Sequence, residues 1–164
     1  MKLSAMIATL GGVGHIQPAS GTWGSLAALP LAWVLHVLGG PALLALGIAL
    51  FYGLGHWATA QETRGQADHD PSEIVVDELV GQWIAFFPVS FGASYAGADL
   101  TALWPGWIVA FGAFRAFDIL KPGPVGWADR KHGPTGVMLD DVIAGVLAAL
   151  VVVALAALFH IFLM

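Results

Sequence analysis

From residue 142 to residue 164 the chain runs 23 positions without one Asp, Glu, Lys or Arg. A helix that crosses the hydrocarbon core of a bilayer needs about 20 predominantly apolar residues, so this stretch reads as a membrane span. Four further apolar stretches precede it, at 26–38, 42–60, 79–91 and 102–120. Composition agrees with a lipid solvent. Hydrophobic residues make up 58% and charged residues 10%, where soluble domains run about 45–50% apolar and about 25% charged. The 164 residues are read as one domain: all-α, a polytopic integral-membrane helical bundle.

Gly39-Gly40-Pro41 separates the first two stretches, and residues 92–105 separate the next two. Each pair reads as a helical hairpin. The 26–38 and 79–91 arms have only 13 positions each, so two short-long hairpins and a C-terminal helix are expected. That gives four to five membrane helices, with the short arms either spanning or re-entering. Lys2 and the apolar run 3–13 imitate a secretory leader. Gly11, Gly12 and Gly14 interrupt that run and no small-residue cleavage site follows, so the segment is expected to be retained.

The charges are concentrated. Of 17 Asp, Glu, Lys and Arg residues, 15 fall in two windows, 62–78 and 115–141. If each hairpin returns to its starting side, both windows and the N-terminus share one face. That face carries all six Lys and Arg, which the positive-inside rule makes cytoplasmic. Trp23, Trp57, Trp83 and Trp127 would then lie toward this face, and Trp104 and Trp107 toward the other, each either an interfacial anchor or ordinary apolar filling. No basic block marks a nucleic-acid surface. The absence of cysteine excludes disulfides, thiolate metal sites and cysteine nucleophiles.

Two adjacent acidic pairs, Asp77-Glu78 and Asp140-Asp141, each immediately precede an apolar helix. The spacing admits two readings. As caps, carboxylates accept orphan amides and suit the positive end of the helix dipole. As ligands, clustered hard oxygens select Mg²⁺, and a cation relieves the repulsion between neighbouring acids. A third acid, Asp118, recurs at a three-residue interval with Arg115 and Lys121, which places all three on one helical face. That stripe is either an ion ladder or a phosphate-holding pair of cations beside an acid. Arg130 is a candidate for bidentate phosphate contact, while Lys131 fits a topology signal. Thr22 and Ser25, in Ser20-Gly21-Thr22-Trp23-Gly24-Ser25, would present a hydroxyl-rich helix start to an anion, with Ser25 as a simple N-cap the alternative. Asp68-His69-Asp70 lies in a polar loop, and Asp70 is expected to supply at most a supporting ligand. Asp77-Glu78-Leu79-Val80-Gly81 also echoes Asp141-Val142-Ile143-Ala144-Gly145.

Four blocks in order resemble the phosphatidylglycerophosphatase A family of bacterial membrane phosphatases. They are Gly21-Thr22-Trp23-Gly24-Ser25-Leu26; the run from Asp70 to Glu78 with Gly81 and Trp83; Phe114-Arg115-Ala116-Phe117-Asp118 with Lys121-Pro122, Pro124 and Asp129-Arg130; and the run from Gly136 to Asp141 with Ala144-Gly145. The resemblance implies Mg²⁺-dependent dephosphorylation of phosphatidylglycerophosphate, a phospholipid partner in the membrane, and a bacterial inner-membrane location. It implies Asp77, Glu78, Asp118, Asp140 and Asp141 as acidic site residues and Arg115, Lys121 and Arg130 as phosphate-facing cations. Pro134 stands where relatives often have a second glycine after Gly133. Three other readings compete: a small transporter or channel whose acids line an ion path, a non-catalytic scaffold, and another membrane lipid enzyme such as a head-group transferase, whose longer aspartate array is absent.

Overall fold

The computed structural model describes residues 2–66 and 71–163. Asp68, His69 and Asp70, including the supporting ligand expected at Asp70, lie outside the described residues. The elements are α1 (Leu3–Ala8), α2 (Ser20–Glu62), α3 (Val76–Ala96), α4 (Trp104–Leu120), α5 (Pro124–Asp129) and α6 (Pro134–Leu163), with 3₁₀ turns at Val13–His15 and Leu100–Leu103.

Helix α2 folds back on itself at Gly39 and Gly40. Gly40 has φ 61° and ψ −159°, a region that is essentially closed to residues with a side chain. The reversal brings Leu35 against Gly47: a Cβ at Gly47 would stand 2.9 Å from Leu35 Cδ1. Pro41 then starts the second arm, where its missing N–H costs nothing. The hairpin expected from Gly39-Gly40-Pro41 is therefore present.

The short arms are longer than expected. The first arm of α2 begins at Ser20 and α3 has 21 residues, about 30 Å of helix. Hydropathy tracks side chains, whereas helical hydrogen bonds continue through Ser20 to Ser25 and through Val76, Asp77 and Glu78. Likewise, α6 starts at Pro134, not beside the acidic pair, and part of the Gly/Pro-rich loop forms α5.

Helix α3 is the axle of the bundle. Leu79, Phe86, Ala85 and Ala93 are fully buried, and Trp83 and Val89 nearly so. They pack among Ala28 and Ala32 of α2, Ala110 and Phe114 of α4, and Ala144, Ala148 and Val152 of α6. Trp83 is thus a core residue, not an interfacial anchor; its Nε1–H donates to the Ala28 carbonyl at 2.8 Å. Trp23, Trp57, Trp104 and Trp127 are exposed. Helix α2, residues 100–120 and helix α6 are long and apolar enough to cross a membrane. Their outward faces carry Leu38, Leu46, Ile108, Ile119, Leu150 and Phe162, an apolar coat of the extent that lipid covers. This is a membrane protein.

One end of the bundle collects the polar chain. The first arm of α2, α3 and α6 all start there, and the second arm of α2 and α4 finish there. Gly21 and Gly24 lie against Glu78 and Val75, and Gly55 lies against Met138 and Val76. The N-terminal segment closes over the same end: Val75 N–H donates to the Ala8 carbonyl at 2.8 Å, Ser4 to Glu62 at 2.5 Å and Ser20 to the Ser72 carbonyl at 2.5 Å. At the far end Gly40 approaches Ser94, and His36 shares a 2.7 Å hydrogen bond with Ser90.

Candidate active site

Helices α3 and α6 cross almost backbone to backbone. A Cβ on Gly81 would stand 2.7 Å from the Asp141 carbonyl and 2.5 Å from the Phe114 ring. Only glycine permits this approach. Asp77 lies four residues before Gly81, and Asp141 lies four residues before Gly145. Each acid is therefore one helical turn above the crossing. The echo between the two segments marks the place where they meet.

This crossing brings the acids together. Asp77, Glu78 and Asp141 each offer a carboxylate oxygen within 4.8 Å of the others, and Asp118, Asp140 and Asp141 do the same. Asp77, Asp140 and Asp141 are only 7%, 6% and 3% exposed. Capping does not account for them. The N-cap position of α3 is Val75, which makes no side-chain cap, and Asp140 and Asp141 sit about 10 Å inside α6. Among the described residues, Glu78 Oε2, Asp140 Oδ1 and Asp141 Oδ2 are buried without a hydrogen-bond partner. A buried carboxylate oxygen in that state is strongly disfavoured unless a cation or proton meets it. The donor set is all carboxylate, which is the chemistry of a hard divalent ion. The acidic cluster is thus able to bind a metal.

Two cations frame the acids. Arg115 Nη1 donates to Asp118 Oδ2 at 2.5 Å, and Lys121 Nζ donates to Asp140 Oδ2 at 2.8 Å and to Asp129. Lys121 does not continue the helical stripe expected for it. It caps α4 in the left-handed region at φ 45°, a conformation that costs an ordinary residue about 1 kcal/mol or more. The turn swings its ammonium toward α6. Partial burial alone would lower the Lys121 pKa, but the hydrogen bonds and charges of Asp129 and Asp140 outweigh it and hold it above the ordinary lysine range. Asp129 is the residue whose role the sequence reading missed, because nothing in its loop context signals a partner eight residues back.

The remaining expected phosphate contacts differ in placement. Gly21, beside Thr22, is pressed against the site: a Cβ there would stand 2.1 Å from Glu78 Oε1 and 3.3 Å from Arg115 Nη1. Thr22 is half-buried in the same first turn. Ser25 is fully buried and donates to the Gly21 carbonyl at 2.8 Å, so its hydroxyl serves its own helix and is not the N-cap. Arg130 is exposed and lies back along α5 over Gly126. Lys131 sits 4.1 Å from the centre of the Trp127 ring. One turn below Glu78, Gln82 is fully buried with neither end of its amide hydrogen-bonded among the described residues.

A family model described as phosphatidylglycerophosphatase A matches residues 6–156. The chain belongs to the phosphatidylglycerophosphatase A family. It is 37% identical over 145 residues to phosphatidylglycerophosphatase A of Haemophilus influenzae, covering 88% of this chain and 83% of that one. It is 36% identical over 140 residues to phosphatidylglycerophosphatase A of Escherichia coli, covering 84% and 73%. A Bacteroides thetaiotaomicron protein provisionally named phosphatidylinositol-3-phosphatase is 38% identical over 149 residues, covering 88% and 87%. No solved structure matches. As a phosphatidylglycerophosphatase A family member, the chain is a membrane phosphatase, a hydrolase of lipid metabolism.

Proposed function

We propose that this chain hydrolyses the terminal phosphate of phosphatidylglycerophosphate to give phosphatidylglycerol, with Mg²⁺, at the cytoplasmic face of a bacterial inner membrane. The observation that carries the reading is the gathering of five carboxylates and two cations at one end of a membrane bundle. The family and its Haemophilus and Escherichia relatives supply the substrate class. The orientation is supported by Lys2, Arg64, Arg115, Lys121, Arg130 and Lys131, which all belong to the site's end of the chain path.

Asp77, Glu78, Asp118, Asp140 and Asp141 would hold the metal. A bound divalent cation supplies charge neutralisation at the phosphoryl oxygens and an acidified water. The protein's own contribution is positional and electrostatic. Asp118 and Asp140, each tied through Oδ2 to a cation, would each have a second oxygen left to offer the metal. Arg115 and Lys121 oppose the charge that accumulates on the transferring phosphoryl group. Thr22, half-buried in the first turn of α2 beside Gly21, would offer its hydroxyl to the phosphate, and Arg130, exposed at the end of α5, would have to swing off Gly126 to meet it. Water attacks phosphorus, the bond to the glycerol oxygen breaks, and the water's proton passes by way of a cluster carboxylate to the departing alkoxide. The helices' apolar flanks admit the acyl chains from the bilayer.

The test is phosphate release from phosphatidylglycerophosphate by the purified protein in detergent, with Mg²⁺ and with EDTA, for wild type and Asp141→Asn. Release that needs Mg²⁺ and vanishes in the variant is expected. A folded wild type that releases phosphate only from phosphatidylinositol 3-phosphate would move the substrate to the Bacteroides relative's name. No release from either lipid would end the reading.

A further inference from the structure

We propose that the acidic cluster is built for two divalent cations, with Asp141 shared between them; the inference rests on the metal-dependent reading above. Ligand atoms on one Mg²⁺ lie about 2.1 Å from it, so no two of them are more than about 4.2 Å apart. The five acids do not meet that condition as one group. They fall into two triads, Asp77 with Glu78 and Asp141, and Asp118 with Asp140 and Asp141, each within 4.8 Å internally. Asp141 alone belongs to both. One ion held by one triad leaves the other triad with two carboxylates that do not touch a metal.

Buried oxygens in both triads lack a hydrogen-bond partner among the described residues. Glu78 Oε2 belongs to the first triad, Asp140 Oδ1 to the second, and Asp141 Oδ2 to both. Asp140 and Asp141 are more than nine-tenths buried, so bulk water does not relieve them. Charge points the same way. Five carboxylates gather against Arg115 and Lys121, and Lys121 also serves Asp129. A single dication leaves the cluster negative, which repels a phosphate monoester. A second brings the group, Asp129 included, to neutrality, and paired ions about 3.5–4 Å apart are a recurrent arrangement for phosphoryl chemistry.

Mn²⁺ provides a readout that does not depend on turnover. The full-length protein in detergent would be dialysed against saturating Mn²⁺, assayed for bound metal, and examined by electron paramagnetic resonance. Wild type is expected to hold two Mn²⁺ per chain and to show an exchange-coupled spectrum, with hyperfine spacing half that of an isolated ion. Glu78→Gln and Asp118→Asn, which alter different triads, are each expected to hold one ion with an uncoupled spectrum. One uncoupled Mn²⁺ in saturated wild type, with Mg²⁺-dependent phosphate release intact, would overturn the pair and leave the phosphatase reading standing. No bound Mn²⁺ at all would remove both the pair and the metal dependence. The wild-type stoichiometry decides the matter even if either variant fails to fold.

Discussion

Gly145 packs its bare Cα against the backbone of Gly81, so that a Cβ at Gly145 would stand 2.4 Å from the Gly81 carbonyl oxygen. The two acids one turn above this contact are as close as they are because nothing separates the helices below them. Gly145→Ala is expected to force α3 and α6 apart, with a loss of about 1–3 kcal/mol and a larger proportional loss of metal affinity. Gly112→Ala, where a Cβ meets nothing within 4 Å, is the matched control and should be neutral or slightly stabilising. Thermal unfolding in detergent and metal titration on both variants check this. Unchanged metal affinity in Gly145→Ala would disconnect the crossing from the site.

Arg115 binds Asp118 at 2.5 Å within the last turns of α4. Arg115→Lys keeps a charge but loses the planar fork and its reach. The expected result is a fall in kcat of about 10- to 100-fold, with the fold intact by circular dichroism. Loss confined to KM would instead make Arg115 a binding group with no share in the transition state.

Lys121 carries a pKa above the ordinary lysine value, because Asp129 and Asp140 outweigh its partial burial. Its stabilising charge is fully present below the unfolded value near 10.5 and is lost only as pH rises through the higher folded value. Below about pH 10 it is a fixed cation. An alkaline fall in activity in that range should therefore keep its midpoint in Lys121→Arg. An upward shift of that midpoint in the pH–rate profile would assign the titration to Lys121.

Gln82 buries an amide with neither end hydrogen-bonded among the described residues, a state that costs about 1–3 kcal/mol. Gln82→Met, similar in size and apolar, is expected to raise the thermal midpoint while lowering turnover, since the amide leans back toward the turn that carries Glu78. A variant that loses stability would show that the amide is already satisfied in the folded protein.

The hairpin break was legible because Gly39-Gly40-Pro41 has few other uses between apolar runs, and the acidic pairs were legible because like charges beside a lipid span demand a reason. Helix starts were not. Apolarity marks where a helix meets lipid, while Ser20 to Ser25 and Pro134 to Leu139 extend helices through polar or small residues. The choice between anchor and filling for Trp83 stayed open because an indole suits an interface or a core equally well, and the Ala28 carbonyl that decides the matter is 55 residues away in the chain. The repeat of Asp and Gly four residues apart was visible, but its meaning is a crossing in space that sequence does not display.

Asp140 and Asp141 come after every other acid of the cluster in chain order, within the last long helix. A ribosome therefore delivers Asp77, Glu78 and Asp118 first, as an incomplete set with strong mutual repulsion and no partner helix to close it. Until α6 enters the bilayer and slides its glycine against Gly81, the proposed centre lacks two of its five acids. Completion of the proposed centre is thereby tied to the insertion of α6, after α3 and α4 are already in place.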